Sequence, residues 1–310
     1  MPLTVLMAAG PANNDRYGPP IRHALNAAGI DARLVDTAPP DAVDYIVYAP
    51  NSPLQDFTPY TGTKAVLNLW AGVERIVGNA TLTQALCRMV DPGLTEGMVE
   101  WVVGHTMRHH LNIDRYTVAP DRTWNHDCPP LARDRKVAML GMGALGEAAA
   151  RALQALRFRV EGWSRSPKSL TGLVCHYGRE GLRAALSGAD FVVTLLPRTA
   201  ETENTLNSET IGWMKPGAVV MNPGRGALID DAALLAALDA GHLAHATLDV
   251  FRIEPLPADH PFWAHPRITV TPHIAADTRP ETAAEVIAEN IRRGEAGEPL
   301  LNLVDRARGY

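Results

Sequence analysis

The sequence predicts an α/β protein made of two doubly wound parallel-sheet domains, one inserted into the chain of the other. Short apolar runs alternate with helical or turn-rich segments over the first 70 residues and again from residue 136 onward. Gly141, Gly143 and Gly146 stand in G-x-G-x-x-G spacing between a short apolar run and an alanine-rich helical segment. The last helical pattern, over 280–293, is amphipathic and is predicted to pack back on the first domain.

The composition is typical of a globular chain with room for two cores. Of the 310 residues, 46% are hydrophobic and 20% are charged. No apolar run approaches the roughly 20 residues that a membrane span needs. The formal net charge of −5 provides no general nucleic-acid footprint. Cys87, Cys128 and Cys175 are scattered, which predicts neither a disulfide framework nor a zinc site and favours a reducing cytoplasm.

The pattern of the first 135 residues predicts a small parallel sheet followed by helices and a connecting loop. Strands are predicted over 4–7, 32–35, 44–48 and 65–69. A helix is predicted over 21–28 and ends at Gly29. Further along, the pattern predicts a short helix over 81–90, a longer helix over 95–111, and an extended loop over 116–135.

The second domain shows the alternation of a Rossmann sheet. Predicted strands are 136–140, 158–163, 190–196, 218–222, 245–249 and 268–270, and helical segments are 145–156, 179–187, 208–214 and 230–240. We therefore assign 97–278 to a dinucleotide-binding Rossmann domain. The stretches 1–96 and 279–310 are assigned to a flavodoxin-like substrate-binding domain.

Each glycine of the turn has a predicted role in binding a dinucleotide. Gly141 permits the tight turn, Gly143 lets the backbone approach a pyrophosphate, and Gly146 lets the helix pack on the strand. Free N–H groups and the positive end of the helix dipole face the phosphates. The predicted turn also includes Met142, Ala144 and Leu145. The plain alternative is an ordinary strand-turn-helix.

The end of the next strand indicates which dinucleotide is bound. NAD-binding units usually place an acidic residue there, but this chain has Ser164-Arg165-Ser166, with Lys168 beyond. A guanidinium and two hydroxyls suit a 2′-phosphate, so NADP(H) is predicted, with NAD(H) as the alternative. Glu161 lies three residues short of the strand end. The competing interpretation is a merely polar turn.

Three polar segments at strand ends of the second domain carry the candidate catalytic residues. Arg225 offers a charged planar fork for a substrate carboxylate and its neighbouring carbonyl oxygen. His273 can be imidazolium near neutral pH, so it is the candidate acid for reduction and base for oxidation. Glu254 is its candidate partner, because a nearby carboxylate favours the charged imidazole. Taken singly, they also fit a solvated turn arginine, a surface glutamate and a structural histidine.

These segments, taken in order, resemble the D-isomer-specific 2-hydroxyacid dehydrogenase family over nearly the whole chain. The motifs are the glycine turn, Leu196-Pro197, N-x-x-R-G at 222–226, D-V-F-x-x-E-P-L-P at 249–257 and T-P-H at 271–273. Within the family, W-S-R-S at 163–166, A-G-V at 71–73 and the C-terminal 304–310 resemble the glyoxylate/hydroxypyruvate reductase A branch.

The resemblance implies a function and further site residues. The implied reaction is NADPH-dependent reduction of small 2-keto acids, glyoxylate and hydroxypyruvate first. Arg225, Glu254 and His273 would have the roles given above, and Asp249 would orient the nicotinamide carboxamide and ribose. Leu196, Pro197, Asn222 and Pro223 would complete the cofactor site. A homodimer is implied through 95–113 and 116–135.

The loop Trp70-Ala71-Gly72-Val73 is the candidate substrate clamp, since it follows a predicted strand and offers backbone N–H groups to a carboxylate. Trp70 stands where the family usually carries a small residue, so the resemblance implies a substrate pocket that is narrowed or given an aromatic wall. Tyr48 fits either a cavity wall or the core. In His105-x-x-x-His109-His110, the i, i+4 pair His105 and His109 has metal-ligand spacing, but no third ligand is apparent. A solvated or subunit-contact face is therefore favoured for them, and no metal is predicted.

Two other functions stay open at this point. One is a dinucleotide-sensing binding protein on the same fold, like corepressors related to the family, which retain the same three residues. No basic extension flanks the predicted fold to support it. The other is a family dehydrogenase for formate, phosphite or a larger 2-keto acid.

Overall fold

The computed structural model describes residues 2–117, 123–124 and 126–309 and confirms the α/β class with two parallel sheets. The chain divides into two compact units, Met1–Leu94 with Asp277–Tyr310, and Thr95–Ala276. The helices and strands, in chain order, are β1 (Leu3–Ala8), α1 (Pro11–Ala27), β2 (Ala32–Val35), β3 (Tyr45–Tyr48), β4 (Ala65–Asn68), β5 (Ala85–Cys87), α2 (Pro92–His110), α3 (Ile113–Thr117), β6 (Lys136–Leu140), α4 (Ala144–Ala155), β7 (Arg159–Ser164), β8 (Val174–Tyr177), α5 (Gly178–Leu186), β9 (Phe191–Thr194), α6 (Ser208–Gly212), β10 (Ala218–Asn222), α7 (Asp231–Asp239), β11 (Leu243–Leu248), β12 (Ile268–Val270) and α8 (Pro280–Ala296).

The first unit has the flavodoxin-like strand order β2-β1-β3-β4-β5, with every pair parallel. α1 and α8 pack together with one face of the sheet. Ile21 and Leu25 of α1 share a buried cluster with Ile287 and Ile291 of α8. The predicted packing of the last helix on the first domain is therefore confirmed.

The helix predicted over 81–90 is wrong, because this stretch contains the edge strand β5. Leu82, Leu86 and Met89 are spaced like one face of a helix, which explains the error. In the structure Leu86 is buried in one cluster and Cys87 in another, as expected for successive residues of a strand. Packing beside β4 outweighs the local helical pattern.

α1 begins at Pro11, ten residues before the predicted start at residue 21. Pro19 and Pro20 lie inside the helix and concealed it, since proline in a helix interior normally costs about 3 kcal/mol. Tertiary contacts offset this cost. Tyr17 is buried, and its hydroxyl donates to the carbonyl oxygen of Thr278 at 2.8 Å.

The second unit has the order β12-β11-β10-β9-β6-β7-β8, a Rossmann sheet with one extra strand beside β11. Because all its strands are parallel, their carboxyl ends meet at one edge. The prediction missed β8, a short strand whose side chains are at most half-buried. The loop predicted over 116–135 falls partly on 118–122 and 125, which lie outside the described residues. The described remainder includes the end of α3 and a 3-10 turn, Ala132–Asp134.

Two histidines of α2, His109 and His110, pack against other parts of the second unit, which differs from the solvated face that was one of the two expectations. His110 is buried, with its ring centroid 5.0 Å from that of Phe158. His109 Nε2 lies 2.8 Å from the Thr247 hydroxyl on β11. Burial, and then nearby His245, lower the pKa of His109 to about 3, so this ring is neutral at physiological pH. None of the helices in the described ranges combines the length and apolar character required to cross a membrane.

Asp190, just before β9, joins the amino ends of two strands of the second sheet. Its carboxylate accepts hydrogen bonds from Lys215 at 2.6 Å, Arg135 at 2.7 Å and the N–H of Lys136 at 2.8 Å. Burial raises the pKa of Asp190, but these three donors outweigh it, and the pKa lies below its ordinary value. The ionised carboxylate therefore stabilises the fold above the pKa of an unfolded aspartate.

We predict that Asp190→Asn lowers the free energy of unfolding by about 2–3 kcal/mol at pH 7. The variant removes the charge of a buried carboxylate, while its cationic partners, Arg135 and Lys215, stay partly solvated. The difference from wild type should shrink as the pH falls below about 4, where the native carboxylate also becomes protonated. Urea denaturation at pH 7 and at pH 3 measures both effects.

Asp239→Asn is the matched control. The side chain of Asp239 is 74% exposed and pairs with His265 at 3.2 Å, so a change below about 0.5 kcal/mol is expected. A loss for Asp190→Asn that is equal at both pH values would contradict the role given to the ionised carboxylate.

Candidate active site

The glycine turn joins β6 to α4 and has the backbone that its spacing predicts. Gly141 has a φ of +109°, and a Cβ there would lie 2.5 Å from the backbone of Leu195. A Cβ on Gly146 would lie 1.8 Å from the carbonyl oxygen of Gly141. A Cβ on Gly143 would have no protein atom within 4 Å. Two glycines thus serve the fold, and the third leaves open space at the N-terminus of α4.

The other residues of the turn divide between core and surface. The Met142 side chain is buried and covers Gly162 of β7, where an added Cβ would lie 2.4 Å from the methionine sulfur. The Met142 carbonyl oxygen accepts a hydrogen bond from Lys168 at 2.6 Å. Ala144 is exposed and Leu145 half-buried. Only the backbone of Met142 is therefore available to a phosphate.

Ser164, Arg165 and Ser166 lie at the carboxyl end of β7. The Ser164 hydroxyl donates to the Ser166 carbonyl oxygen at 2.8 Å, and Arg165 forms an ion pair with Glu201. Glu161 lies within β7 and is paired with Lys136 and His176, each at 2.8 Å. The Glu161 carboxylate is therefore engaged within the sheet, away from the strand end where an NAD-binding carboxylate would lie.

The turn that carries Arg225 follows β10 and is shaped by Asn222. The Asn222 amide donates to the carbonyl oxygen of Arg225 at 2.9 Å, and its oxygen accepts from the N–H of Gly224 at 3.1 Å and the hydroxyl of Thr194 at 2.6 Å. Asn222 is fully buried. Its side chain therefore acts on the protein backbone, and Pro223 beside it is buried as well.

Asp249 follows β11 and holds the segment that carries His273. Its carboxylate accepts hydrogen bonds from the Thr271 hydroxyl at 2.6 Å and from the N–H groups of Ile274 and Ala275, each at 2.9 Å. Its carbonyl oxygen accepts the N–H of His273 at 2.8 Å. These bonds keep His273 at a φ of +54°, a conformation that non-glycine residues rarely adopt.

Glu254 and His273, 19 positions apart in the chain, are in direct contact. His273 Nδ1 lies 2.7 Å from Glu254 Oε2, and Glu254 Oε1 accepts the N–H of Phe251 at 2.8 Å. Both carboxylate oxygens are thus fixed. The imidazole is half-exposed, and because Nδ1 faces the carboxylate, Nε2 is the atom left for proton exchange.

Gly226 brings the Arg225 turn against the loop that carries Glu254. A Cβ on Gly226 would lie 2.0 Å from the carbonyl carbon of Phe251, so only glycine permits this approach. The Arg225 guanidinium donates to the carbonyl oxygen of Gly224 at 2.7 Å. The structure thus brings Glu254 and His273 into contact, and it places Gly226, next to Arg225, against the loop that carries Glu254.

Arg252 forms structural contacts beside Glu254 that the sequence did not reveal. Its guanidinium lies 3.3 Å from Glu203 and 3.6 Å from Asp231, and it donates to the Asn204 side chain and the Ile229 carbonyl oxygen. It therefore ties the Glu254 loop to the segment that follows Arg225. Its partners lie about 20 to 50 positions away, and no motif links them, so only the fold could reveal this role.

The other predicted site residues lie at the carboxyl ends of strands. Leu196 is buried in the core after β9, and the Pro197 carbonyl oxygen accepts the Thr202 hydroxyl at 2.6 Å. In the first unit, Trp70 follows β4 and is partly buried, and Val73 is buried. Tyr48 is a core residue, 1% exposed and packed on Phe57, which decides between the two readings of this side chain.

Asn68 arranges the Trp70–Val73 loop. Its amide donates to the carbonyl oxygens of Trp70 and Gly72, at 2.8 and 3.1 Å. Among the described residues, none accepts a hydrogen bond from the N–H groups of Ala71, Gly72 and Val73. The loop carbonyls are thus engaged, while three successive N–H groups remain available.

Comparison with known proteins shows which family the chain resembles. Residues 102–275 match the model of the NAD-binding domain of D-isomer specific 2-hydroxyacid dehydrogenases. Glyoxylate/hydroxypyruvate reductase A of Yersinia enterocolitica is 38% identical over 286 residues, which is 90% of each chain. The chain belongs to the D-isomer specific 2-hydroxyacid dehydrogenase family.

Solved structures of this dehydrogenase family agree over the full length. A D-isomer specific 2-hydroxyacid dehydrogenase from Xanthobacter autotrophicus, solved with NADPH and MES, superposes with a TM-score of 0.89 at 39% identity, covering 100% of this chain and 99% of that chain. The NADPH-dependent glyoxylate/hydroxypyruvate reductase of Sinorhizobium meliloti, solved with NADP and sulfate, gives 0.86 at 32% identity, covering 99% and 100%. The resemblance drawn from the motifs is confirmed.

The residues of this dehydrogenase chain fit a dinucleotide carrying a 2′-phosphate. The space at Gly143 and the N-terminus of α4 suit a pyrophosphate. The end of β7 presents a guanidinium and a hydroxyl instead of a carboxylate. Within the described ranges, no group of three or more His, Cys, Asp or Glu side chains is arranged to hold a metal ion.

The glycines allow a prediction that separates binding from folding. Gly143→Ala should leave the melting temperature within about 2 °C of wild type, because its Cβ meets no protein atom, but should weaken binding of NADPH about tenfold or more by filling the space for the pyrophosphate.

Gly146→Ala is the matched comparison, with the same methyl group three residues along. Its Cβ would collide with the Gly141 carbonyl oxygen, so a fall of several degrees in melting temperature is expected. Thermal melts and fluorescence titration with NADPH measure both quantities. Equal melting temperatures and equal affinities for the two variants would contradict this division.

Proposed function

We propose that this protein reduces small 2-keto acids to 2-hydroxy acids with NADPH, glyoxylate and hydroxypyruvate first among them. The observation that carries the proposal is the Glu254–His273 pair, 2.7 Å apart at the carboxyl edge of the second sheet, beside the turn of Arg225. Relatives named glyoxylate/hydroxypyruvate reductase, from Y. enterocolitica and S. meliloti, support the choice of substrate and cofactor.

His273 is the proposed acid for reduction and base for oxidation. Reduction turns a carbonyl oxygen into an alkoxide that needs a proton, and Nε2 of the half-exposed His273 ring is proposed to supply it. Glu254 holds the ring through Nδ1 and stabilises the positive charge that the imidazolium carries before transfer. When bound, NADPH supplies the hydride.

Arg225 is the proposed anchor for the substrate. Its planar guanidinium matches the paired oxygens of a carboxylate and fixes the orientation of the keto group beside it. In the first unit, the N–H groups of Ala71, Gly72 and Val73 are proposed to bind a substrate carboxylate. Trp70 supplies an aromatic surface to this loop, which favours small substrates over long ones.

The proposed cofactor residues follow from the turn and the end of β7. Backbone N–H groups of the turn, 141–146, would bind the pyrophosphate, and Arg165 with Ser164 and Ser166 would bind the 2′-phosphate. Asp249 is fully buried and already accepts three hydrogen bonds, so it is proposed to orient the nicotinamide ribose and carboxamide through the segment 271–275 that it holds.

We also propose that the protein acts as a homodimer in a reducing cytoplasm. Several large apolar side chains between 111 and 131 are exposed, including Trp124 at 95% and Leu131 at 56%. A second copy of the chain would cover them. All three cysteines are free, which suits a reducing compartment.

The rival of a dinucleotide-sensing binding protein is tested by mutation of the proposed catalytic residues. His273→Ala and Arg225→Ala should each lower kcat/KM for glyoxylate with NADPH by at least about 10²-fold, because they remove the proton donor or the carboxylate anchor. The dissociation constant of NADPH should stay within about twofold of wild type.

Two control variants remove the same residue types at positions outside the proposed site. His265→Ala removes another histidine paired with a carboxylate, and Arg179→Ala removes an exposed arginine that pairs with Glu209. Both should retain wild-type turnover. Full turnover of His273→Ala or Arg225→Ala would overturn the assigned role, and the absence of turnover in wild type with intact NADPH binding would favour the rival.

A substrate panel tests the choice among family dehydrogenases. We expect kcat/KM to be highest for glyoxylate and hydroxypyruvate with NADPH, lower for pyruvate, and lower with NADH for each, since NADH lacks the 2′-phosphate that Arg165 would bind. Oxidation of formate or phosphite, or a preference for a larger 2-keto acid, would contradict the proposed substrate class.

A further inference from the structure

We infer that Glu201 limits the preference for NADP(H) over NAD(H) by competing with the cofactor's 2′-phosphate for the Arg165 guanidinium. This inference rests on the proposed function, in which Arg165 binds that phosphate. It assigns a specificity role to a residue that lies in no cofactor motif and follows a different strand.

The competing contact is an ion pair between two strand ends. Arg165 follows β7, whereas Glu201 lies in the turn after β9, 36 positions further along. The Arg165 Nη1 atom contacts the Glu201 carboxylate, and the two side chains are 35% and 65% exposed. The cation proposed for the phosphate therefore already has an anionic partner in the protein.

The position of Glu201 is set by the fold of its turn. Its neighbour Thr202 is 3% exposed, accepts the N–H of Thr199 at 2.8 Å and donates to the carbonyl oxygen of Pro197 at 2.6 Å. The N–H of Glu203 also bonds the Thr199 carbonyl oxygen, at 3.0 Å. Because these bonds fix the backbone on both sides, the Glu201 side chain projects from an ordered turn.

The charges decide which cofactor is affected. A 2′-phosphate carries nearly two negative charges, so when it binds, the Glu201 carboxylate must either release Arg165 or share it with a like-charged neighbour. A 2′-hydroxyl makes no such demand, and the Arg165–Glu201 pair persists beside it. The ammonium of Lys168 donates to the Met142 carbonyl oxygen at 2.6 Å, whereas Arg165 is paired with a carboxylate, so the competition acts at Arg165.

The opposite effect, in which Glu201 strengthens NADPH binding, would also be measurable. If Glu201 mainly held Arg165 in the orientation that a phosphate needs, removing its charge would weaken binding of NADPH. The partly solvated pair costs little to break, and the carboxylate would remain close to the bound phosphate. We therefore expect the competing effect of Glu201 to outweigh its orienting effect and to weaken NADPH binding by about three- to tenfold.

The test is a fluorescence titration of Glu201→Gln with NADPH and with NADH, without substrate. The expected result is a dissociation constant for NADPH about three- to tenfold lower than in wild type, and one for NADH within twofold of wild type. An unchanged or weaker affinity for NADPH would overturn the inference.

Glu203→Gln is the matched control. It removes the same charge from the same turn, but Glu203 pairs with Arg252, at 3.3 Å, instead of Arg165. Its NADPH affinity should change less than twofold. An equal gain in both variants would reduce the effect to general surface charge and overturn the specific competition with Arg165.

Arg165→Ala separates this inference from the proposed function. If Arg165 binds the 2′-phosphate, this variant should lose most of the preference for NADPH, and adding Glu201→Gln to it should no longer tighten binding. An undiminished preference in Arg165→Ala would defeat the proposed cofactor site itself. A lost preference together with a persistent gain from Glu201→Gln would defeat only the competition.

Discussion

Asp249 holds the catalytic edge of the second unit together. Its buried carboxylate binds the hydroxyl of Thr271 and two successive N–H groups, of Ile274 and Ala275, while its carbonyl oxygen binds the N–H of His273. A buried hydrogen bond is typically worth about 0.5–1.5 kcal/mol net, so these bonds together can sustain the left-handed backbone of His273. Without it, the imidazole would have no fixed direction from which to meet Glu254.

The parallel sheet explains why residues so distant in sequence act at one place. Strands β10, β11 and β12 are neighbours, and each is followed at the same edge by one contributing segment. Because Gly226 has no side chain, the segment after β10 can lie directly against the segment after β11. The glycine turn and Arg165 follow β6 and β7 at that same edge, which puts the proposed cofactor residues and the proposed proton donor on one side of one sheet.

The sequence predicted the parts of this structure that depend on local pattern. The α/β class, most strands and the family followed from apolar runs and spaced motifs. The helix predicted over 81–90 was wrong because β5 is fixed by its neighbour strand, and α1 was predicted too short because Pro19 and Pro20 conceal it. The motifs marked Glu254 and His273, but their 2.7 Å contact required the fold. Arg252 and Glu201 were missed because their importance lies entirely in long-range ion pairs.

The most direct test of the central claim is a crystal structure of the protein with NADP⁺ and oxamate, an unreactive analogue of a small 2-keto acid. The account predicts that the oxamate carbonyl oxygen lies within about 3.2 Å of His273 Nε2, with its carboxylate on Arg225 and the nicotinamide on the opposite face. Oxamate bound away from Arg225, or an imidazole that has left Glu254 and turned from the ligand, would contradict it.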